Sequence, residues 1–354
     1  MFGFIGAIIA SNFKRLSSPF KLGYAVTYRC NLKCKMCNIW HKDDHSRELS
    51  VFDIEKFFLK PHGLHWVGLT GGECFLRADL PEIADVIISN SKQLSAMHIA
   101  TNGTRTDKID HFMTEVRKKH RKIKFVFTVS IDGPSDIHNK IRGVEGVWEK
   151  ALTTFKMLKK MPLVKPQFGF TLSHSNVGQF EDTFHSLKDV YPQLRFDDIS
   201  VYIFQKSSFY YDNQDMLDLD KNVRIKEINK ILALDKEGCT LNNFLRRKFL
   251  QMYLTYLQTS QTPIKCQSAA STCYLDPYGT LYPCSVWNRK LFNIKETNLS
   301  LKEIWQTNEA NNIYKDVLSN KCTGCWTPCD AYSAMGGSLL QTILWSGSGL
   351  KRKV

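Results

Sequence analysis

The sequence contains no apolar run long enough to cross a membrane. The longest one, residues 1–10, has ten residues, whereas a membrane-spanning helix needs about 20. No positive residue precedes this run, and Lys14 and Arg15 follow it, which reverses the order found in a secretory signal. These absences exclude a helical membrane protein and indicate a cytoplasmic protein, with contact at a membrane surface left open.

Acidic residues are in the minority. Lys and Arg number 48 and Asp and Glu number 34, which leaves a formal net charge of +14. Residues 1–24 and 331–354 contain no acidic residue, and both segments carry apolar residues beside basic ones. This balance favours an anionic substrate, a nucleic acid or an acidic membrane surface. The two ends have the composition of an interfacial anchor, although packing of both ends on the protein itself explains it equally well.

Residues 117–122 form a basic run, which by itself suggests nucleic acid. The run lies between a predicted helix and a predicted strand. Basic side chains at a helix C-terminus stabilise the helix dipole, and no aromatic residue is interleaved with them. We therefore expect a solvated helix end and no nucleic-acid partner.

An even set of cysteines is also lacking, because the chain has 11. They fall mainly into two dense groups, one near residue 30 and one between residues 266 and 329. A secreted disulfide scaffold usually spreads an even set over a much shorter chain. Ligation of a metal or an iron–sulfur cluster in a reducing compartment is the better interpretation.

From residue 23 onward, short apolar runs alternate with amphipathic segments. Six runs bounded by polar or turn residues predict buried strands: 24–28, 66–70, 96–100, 125–131, 168–172 and 199–204. Helical spacing occurs between them, at 51–59, 80–89, 108–119, 147–160 and 177–190. Repeated strand-then-helix units predict an α/β fold, a partial (β/α)6 TIM-like barrel of parallel strands, whose reactive groups collect at the C-terminal strand ends.

The pattern changes beyond residue 205. Helical spacing at 221–234 and 241–257 precedes a cysteine-rich segment, in which residues 276–279 predict the turn of a β-hairpin. We expect four parts: an apolar and basic N-terminal segment (1–21), a core domain (22–235), a small cysteine-rich hairpin-plus-helix domain (236–335) and an apolar then basic tail (336–354).

The first cysteine group, Cys30, Cys34 and Cys37, has the spacing C-x3-C-x2-C and follows the first predicted strand. Thiolates are ligands for iron–sulfur clusters and for zinc. Three ligands leave one position of a tetrahedral site or a four-iron cluster open, as catalysis requires. A zinc knuckle completed by His41 or His45, or a set of buried free thiols, is the alternative.

This loop resembles the signature of the radical S-adenosylmethionine (SAM) superfamily. The second strand ends in Gly71-Gly72-Glu73, which is similar to the family's GGE motif, and residues 101–103 and 130–133 also end strands in patterns common there. The resemblance covers roughly residues 22–205. It implies that Cys30, Cys34 and Cys37 bind a [4Fe–4S] cluster and that SAM is contacted by Gly71, Gly72, Glu73, Asn102, Ser130 and Arg142.

The chemistry of these residues agrees with that resemblance. Glycines at a strand end let the backbone approach a ligand, and the Glu73 carboxylate can pair with the methionine ammonium. A strand-end hydrogen bond for Ser130 and a surface salt bridge for Arg142 are the alternatives.

Two positions depart from the family pattern: Met36 replaces a frequent aromatic residue, and Cys74 replaces a frequent proline. Cys74 either reaches the active site or is a buried structural thiol.

The second cysteine group resembles the SPASM and twitch extensions of the same superfamily. Cys266, Gly279 and Cys284 match C-x(9–15)-G-x4-C, and Cys322 and Cys325 match the C-x2-C that follows a helix. The resemblance implies that these four cysteines bind an auxiliary iron–sulfur cluster, with Cys273 and Cys329 as alternates. The cysteines are too few for a full two-cluster SPASM domain, so the twitch form fits better. A zinc ribbon is the alternative.

The resemblance implies an oxidoreductase-like enzyme. Such an enzyme cleaves SAM to methionine and a 5′-deoxyadenosyl radical, which removes hydrogen from a substrate, while the auxiliary cluster accepts the substrate electron or binds the substrate. Flavodoxin or ferredoxin would donate electrons. The basic charge suits a phosphate-bearing or sugar metabolite, or a lipid. A peptide substrate is the alternative, although the segment ahead of the first strand is too short for a leader-binding domain. A non-catalytic iron–sulfur or zinc protein is a further alternative.

Overall fold

One eight-stranded sheet organises the chain. The structure, a computed structural model, describes residues 2–42, 44–235 and 240–345. Its strands are β1 (Lys21–Thr27), β2 (Trp66–Gly71), β3 (Ala96–Thr101), β4 (Lys124–Ser130), β5 (Val164–Leu172), β6 (Ile199–Ile203), β7 (Thr272–Leu275) and β8 (Leu281–Tyr282). The six predicted strands are confirmed. Some begin earlier than predicted, because polar residues such as Lys21 and Lys165 stand at their starts.

The strand order is β6-β5-β4-β3-β2-β1-β7-β8. Strands β1 to β6 pair with one another in parallel, as the strand-then-helix pattern predicted, so the sheet forms the expected partial barrel. The predicted hairpin is also confirmed, because β7 and β8 are antiparallel. Its first strand adds a feature that the sequence did not reveal: β7 pairs in parallel with β1, with Lys21 opposite Thr272. The cysteine-rich region thus extends the barrel sheet.

Helices cover the outside of the sheet. They are α1 (Phe2–Ser11), α2 (Val51–Phe58), α3 (Leu80–Asn90), α4 (Thr106–Lys119), α5 (Ser135–Arg142), α6 (Val147–Lys159), α7 (Phe180–Val190), α8 (Lys221–Leu234), α9 (Leu241–Thr259), α10 (Leu301–Gln306), α11 (Asn308–Leu318), α12 (Pro328–Gly336) and α13 (Leu339–Ile343). The starts of α2 and α10 are fixed by complete capping boxes, Ser50 with Asp53 and Ser300 with Glu303. In the last turn of α4, Arg117 donates to the carbonyls of His120, just after the helix, and of Ile123, just before β4, and so holds the turn that joins the two elements.

Helix α1 covers the N-terminal end of the barrel. The Phe4 ring lies 5.7 Å from that of Phe20, edge to face, and 6.3 Å from that of Trp66, stacked. Asn12, just after the helix, donates to the Gly336 carbonyl at 2.9 Å and accepts from the Leu339 amide at 2.7 Å. These bonds bring the two ends of the described chain side by side. Within the described ranges, no helix is both long and apolar enough to cross a membrane.

Candidate active site

The three cysteines of the first group lie on the loop that leaves β1. Several hydrogen bonds hold this loop. Among them, Cys37 donates its amide to the Cys34 carbonyl at 3.1 Å, the Lys35 amide donates to the Ile141 carbonyl, and the Asn213 side chain donates to the Met36 carbonyl. All three thiols line a cavity of about 690 Å³ that runs through the barrel and reaches α1 at its far end. The fold therefore brings the predicted cluster ligands to the C-terminal ends of the strands.

Burial makes it costly for these thiols to ionise when no cluster is bound to them. It raises the pKa of Cys30 and of Cys37 to about 12, and the charges of neighbouring thiols add to this effect. Burial also raises the pKa of Cys34, whereas the Arg142 guanidinium, whose Nη1 donates to Cys34 Sγ at 3.6 Å, lowers it. A bound iron–sulfur cluster stabilises thiolates, and a guanidinium beside them offsets their negative charge. The donor set thus fits the cluster that the sequence predicted.

A site for a single metal ion places a different requirement on its ligands, which must converge on one point. Among residues 2–42, 44–235 and 240–345, no group of three or more His, Cys, Asp or Glu side chains converges closely enough to hold one ion. A four-iron cluster does not need that convergence, because its cysteines bind different iron atoms.

Gly71 and Gly72 line the same cavity. Close contacts with neighbouring backbone explain why both positions are glycine. A Cβ atom on Gly71 would lie 2.0 Å from the Thr27 carbonyl oxygen, and one on Gly72 would lie 2.1 Å from that of Arg29. Gly71 also has a φ of +138°, which other residues rarely adopt. The ends of β1 and β2 therefore meet backbone to backbone, which leaves no room for a side chain at either position.

Glu73 lies behind the cavity wall and is fully buried. Its carboxylate accepts from the Thr101 hydroxyl at 2.8 Å, the Asn102 amide at 2.7 Å and the Phe75 amide at 3.3 Å. Burial raises the pKa of Glu73, and these three donors lower it. The carboxylate thus ties the end of β2 to the end of β3, and its pairing with a cofactor ammonium stays a prediction.

Asn102, directly after β3, and Ser130, the last residue of β4, lie on the cavity wall. The Asn102 side chain donates to Asn31 Oδ1 at 3.0 Å and accepts from the Thr104 amide and hydroxyl. Since Asn31 follows Cys30, this amide links the end of β3 to the cysteine loop. Contact of Asn102 or Ser130 with SAM stays a prediction.

Arg142, the last residue of α5, is held by a buried ion pair. Its Nη2 lies 2.5 Å from Asp132 Oδ2, and the side chains are 11% and 0% exposed. The pKa of Arg142 is raised by the charges of Asp132 and Cys34, which together outweigh the effect of its burial. The surface salt bridge that the sequence left open is therefore wrong as a description of Arg142, which reaches the cavity and Cys34 from the interior.

Cys74 is a buried thiol of the core. It is fully buried, does not line the cavity, and donates to the Ala100 carbonyl at 3.6 Å. The structure thus favours the structural alternative for Cys74.

The second cysteine group lies beside β7 and α12. Burial, and then the charge of Asp330, raise the pKa of Cys266 to about 11, and the same two effects raise the pKa of Cys284. Cys322 and Cys325 lie half-buried on the loop before α12. The alternates Cys273 and Cys329 both line the barrel cavity together with Cys284. The assignment of cluster ligands within this group stays a prediction.

The cavity also contains residues that the sequence did not single out. Lys21, at the start of β1, donates to the Cys329 carbonyl and to Ser333 Oγ at 3.2 Å, and Asp330 stands beside them on the wall. Lys21 belongs to a strand and Asp330 to a helix near the other end of the chain, so no spacing pattern joins them. The only available signal was the position of Asp330 next to Cys329.

Comparisons with known proteins agree with this geometry. The model of the radical SAM superfamily matches residues 24–187, and that of an iron–sulfur cluster-binding domain, SPASM, matches residues 266–326. A Methanosarcina barkeri Fe-coproporphyrin III synthase is 31% identical over 168 residues, which is 46% of this chain and 40% of that protein. The chain therefore matches less than half the length of that relative.

Two further similarities extend over most of the chain. The mycofactocin maturase MftC of Mycolicibacterium smegmatis is 21% identical over 346 residues, which is 96% of this chain and 83% of that protein. The solved structure of native anSMEcpe with bound AdoMet has a TM-score of 0.60 at 18% identity, and covers 92% of this chain and 98% of its own. The chain belongs to the radical SAM superfamily and carries a C-terminal SPASM domain, so its cofactors are a [4Fe–4S] cluster, SAM and an auxiliary iron–sulfur cluster.

Proposed function

We propose that SAM is split at the end of the barrel cavity where Cys30, Cys34 and Cys37 lie, and that hydrogen is removed from a substrate held in the same cavity. The observation that carries this proposal is the shared space: the thiols, the Gly71-Gly72 strand end and the Arg142 side chain all line it. A structural metal site would be closed by a fourth protein ligand instead.

The chain's own residues hold and position the reactants. When bound, the [4Fe–4S] cluster supplies the electron that breaks SAM into methionine and a 5′-deoxyadenosyl radical. We assign Cys30, Cys34 and Cys37 as its ligands, and the ends of β2, β3 and β4 (Gly71, Gly72, Asn102 and Ser130) as the walls against which SAM lies. Arg142 offsets the charge of the Cys34 thiolate, and the barrel cavity holds the space in which the substrate would meet SAM.

We propose a peptide as the first candidate substrate, with an oxidative change as the outcome. Two similarities that extend over most of the chain support it: one relative is named a mycofactocin maturase, and the anSMEcpe structure has also been solved with a Cp18Cys peptide. A lipid, or a phosphate-bearing or sugar metabolite, is the second candidate. It is supported by the net charge of +14 and by an apolar surface described below.

Hydrogen transfer distinguishes these substrates directly. We expect the anaerobically reconstituted and reduced protein to form 5′-deoxyadenosine from SAM, and to incorporate deuterium into it when the true substrate is deuterated. Extracts of host cells grown in heavy water are separated into peptide, lipid and small-metabolite fractions, and deuterium in 5′-deoxyadenosine is measured by mass spectrometry. Transfer from the peptide fraction supports the first candidate, and transfer from either other fraction supports the second. SAM cleavage without transfer from any fraction would contradict hydrogen removal from a cellular substrate.

The apolar surface is formed by both ends of the described chain. In and after α1 lie Ile5, Ile9 and Phe13, which are 46%, 48% and 85% exposed. Helix α13 and the residue after it add Leu340, Ile343 and Leu344, which are 69%, 58% and 61% exposed. The bonds of Asn12 to Gly336 and Leu339 hold the two segments side by side. We call this the terminal patch.

We propose that the terminal patch rests on an anionic membrane. The exposed Lys14 follows Phe13, and residues 1–24 and 331–354 contain no acidic residue. Exposed apolar side chains beside basic ones enter the interface of an anionic bilayer, where each basic residue adds about 1 kcal/mol. The inner side of α1 packs on the barrel through Phe4, and the proposal assigns only the exposed side of this helix to the membrane.

Vesicle sedimentation tests the terminal patch. We expect the protein to sediment with phosphatidylglycerol vesicles at low salt, and to be released largely by high salt, because ions screen charge attraction. The double variant Phe13→Ser, Leu340→Ser should lose most of this binding. The control is Phe52→Ser, since Phe52 is 72% exposed but lies on α2. Equal binding to neutral phosphatidylcholine vesicles, or equal loss in the control, would overturn the proposal.

An electron donor such as flavodoxin or ferredoxin is proposed as a partner. Cys30 and Cys37 pack against a cluster of buried aromatic side chains that includes Tyr28 and Tyr282. The far side of this cluster lines a surface cleft of about 1120 Å³. This arrangement supports electron entry from the cleft, because Tyr28 and Tyr282 line the cleft and also belong to the cluster against which Cys30 and Cys37 pack.

A further inference from the structure

A row of polar side chains crosses the interior of the barrel. His98 on β3, Thr128 on β4 and Gln167 on β5 all line the cavity. Thr128 Oγ1 lies 2.9 Å from His98 Nε2 and accepts from Gln167 Nε2 at 3.0 Å. Thr128 and Gln167 are also direct neighbours in the register of β4 and β5. Three adjacent strands thus hold these side chains in one connected group, which we call the polar row.

Small residues keep the space beside the polar row open. The interior of a parallel barrel is usually filled by bulky branched side chains, but Gly68, Ala100 and Gly169 line this cavity. A Cβ atom on Gly68 would lie 3.6 Å from His98 Nδ1, and one on Gly169 would lie 2.6 Å from Thr128 Cγ2. Larger residues at these two positions would therefore cover the polar row or displace it.

Two atoms of the polar row, His98 Nδ1 and Gln167 Oε1, have no hydrogen-bond partner in the part of the chain that the structure describes. Burial, and then the charge of Lys21, lower the pKa of His98 to about 4, so its imidazole is neutral near neutral pH and carries one ring N–H. The Thr128 hydroxyl accepts from Gln167 and can donate its own proton to His98 Nε2, which leaves the imidazole proton on Nδ1. The row therefore offers the cavity one donor, at His98, and one acceptor, at Gln167.

The charges around the polar row favour an uncharged ligand. Lys21 donates to Ser333 Oγ at 3.2 Å, and Arg246 pairs with Asp197 at 3.4 Å. Burial lowers the pKa of Lys165, and the charge of Asp197 raises it. The cations that line this part of the cavity thus have polar or acidic groups of the chain beside them, and the row itself is neutral. A phosphate or a carboxylate would also place its acceptor oxygens against the acceptor oxygen of the row, which repels them.

We propose that the polar row binds an amide group of the substrate, which donates its N–H to Gln167 Oε1 and accepts from His98 Nδ1 through its oxygen. This inference rests on the proposed function and names the group by which the barrel holds its substrate. Thr128 precedes Ser130 by two residues, so the row lies about 7 Å below the strand ends assigned to SAM. An amide bound there brings neighbouring atoms of the same molecule towards SAM, which favours a peptide as the substrate.

Binding of small probes tests the polar row without reference to SAM cleavage. Anaerobically reconstituted protein labelled with 15N-histidine is titrated with N-acetylglycine methylamide, and nuclear magnetic resonance follows the ring nitrogens of His98. The variant His98→Phe identifies these signals, because it keeps a ring against Trp66 but removes both nitrogens. We expect a saturable shift of Nδ1 with this amide, and none with inorganic phosphate or methyl glucoside.

Gln167→Leu should weaken binding of the amide about tenfold, because one hydrogen bond is lost. The control is Gln251→Leu: Gln251 is also half-buried, but it lies on α9 and does not line the cavity, so its replacement should leave amide binding at the parent value. A saturable shift with phosphate or methyl glucoside but not with the amide would overturn the proposal. Equal amide affinity of the Gln167 variant and the parent would overturn it as well.

Turnover provides a second test of the polar row. The deuterium transferred from the peptide fraction, divided by the 5′-deoxyadenosine formed, should fall about tenfold in Gln167→Leu and stay at the parent value in Gln251→Leu. An unchanged ratio in Gln167→Leu, or transfer to the parent protein from the lipid or small-metabolite fraction alone, would contradict an amide ligand. Loss of SAM cleavage in the parent would instead contradict the proposed function, and the probe titration would still decide the role of the polar row.

Discussion

Replacing Cys34 by alanine is expected to abolish formation of 5′-deoxyadenosine from SAM. Cys34 lies at the centre of the cysteine loop, where its carbonyl accepts from Cys37 and its thiol accepts from Arg142. Two remaining thiols cannot hold a four-iron cluster with one open position. The auxiliary cluster should remain visible, because its proposed ligands lie on other elements. The measurement is chromatography of the reduced, anaerobic reaction, with iron analysis of the same sample.

Cys74→Ala is the matched control for Cys34→Ala. Cys74 is equally a cysteine near the end of a strand, but it is buried in the core and does not line the cavity. Its replacement should leave SAM cleavage near the parent rate. Full production of 5′-deoxyadenosine by the Cys34 variant would remove the first cysteine group from the reaction.

Replacing Arg142 by alanine is expected to lower the free energy of unfolding by about 3–5 kcal/mol. The change leaves the Asp132 carboxylate, which is 0% exposed, without the guanidinium 2.5 Å away. A buried charge that loses its partner carries the full cost of its desolvation, which a surface pair does not. Urea unfolding of the anaerobically purified protein, followed by circular dichroism, measures the difference.

Arg289→Ala provides the comparison for Arg142→Ala. Arg289 pairs with Glu309 at 3.0 Å, but these side chains are 48% and 43% exposed, so the expected loss is below about 1 kcal/mol. Arg142→Lys should lie between the two, because lysine keeps the charge but not the forked geometry. Equal stability of the Arg142 and Arg289 alanine variants would contradict the description of Arg142 as a buried partner of Asp132.

The sequence predicted the barrel well because its strands are short, mainly apolar and largely buried. Runs such as 66–70 and 96–100 are mainly apolar, with Thr70 and His98 as their polar residues, and segments with helical spacing lie between the runs, so local pattern and fold agree. The cysteine loop was equally visible, since its three ligands lie within one short segment. Features of this kind are encoded in consecutive residues.

Features that depend on distant segments were not visible in the sequence. The glycines of the GGE motif suggested an approach to a ligand, whereas Gly71 and Gly72 are needed for the contact with Thr27 and Arg29. The pairing of Glu73 with a cofactor ammonium stays a prediction, whereas its three donors within the chain could not be foreseen from the sequence. Each outcome depends on which strand ends meet, and residue spacing does not specify that.

The pairing of β7 with β1 has a consequence for the synthesis of the chain. β1 precedes β7 in the chain and strands β2 to β6 lie between them, so the outer edge of β1 stays unpaired until those strands have been made. An unpaired apolar strand edge is a site of aggregation. A fragment that ends before Thr272 would keep that edge permanently, and we expect such a fragment to need a chaperone or to precipitate. In this chain β7 therefore covers an edge of β1 that the other barrel strands leave open.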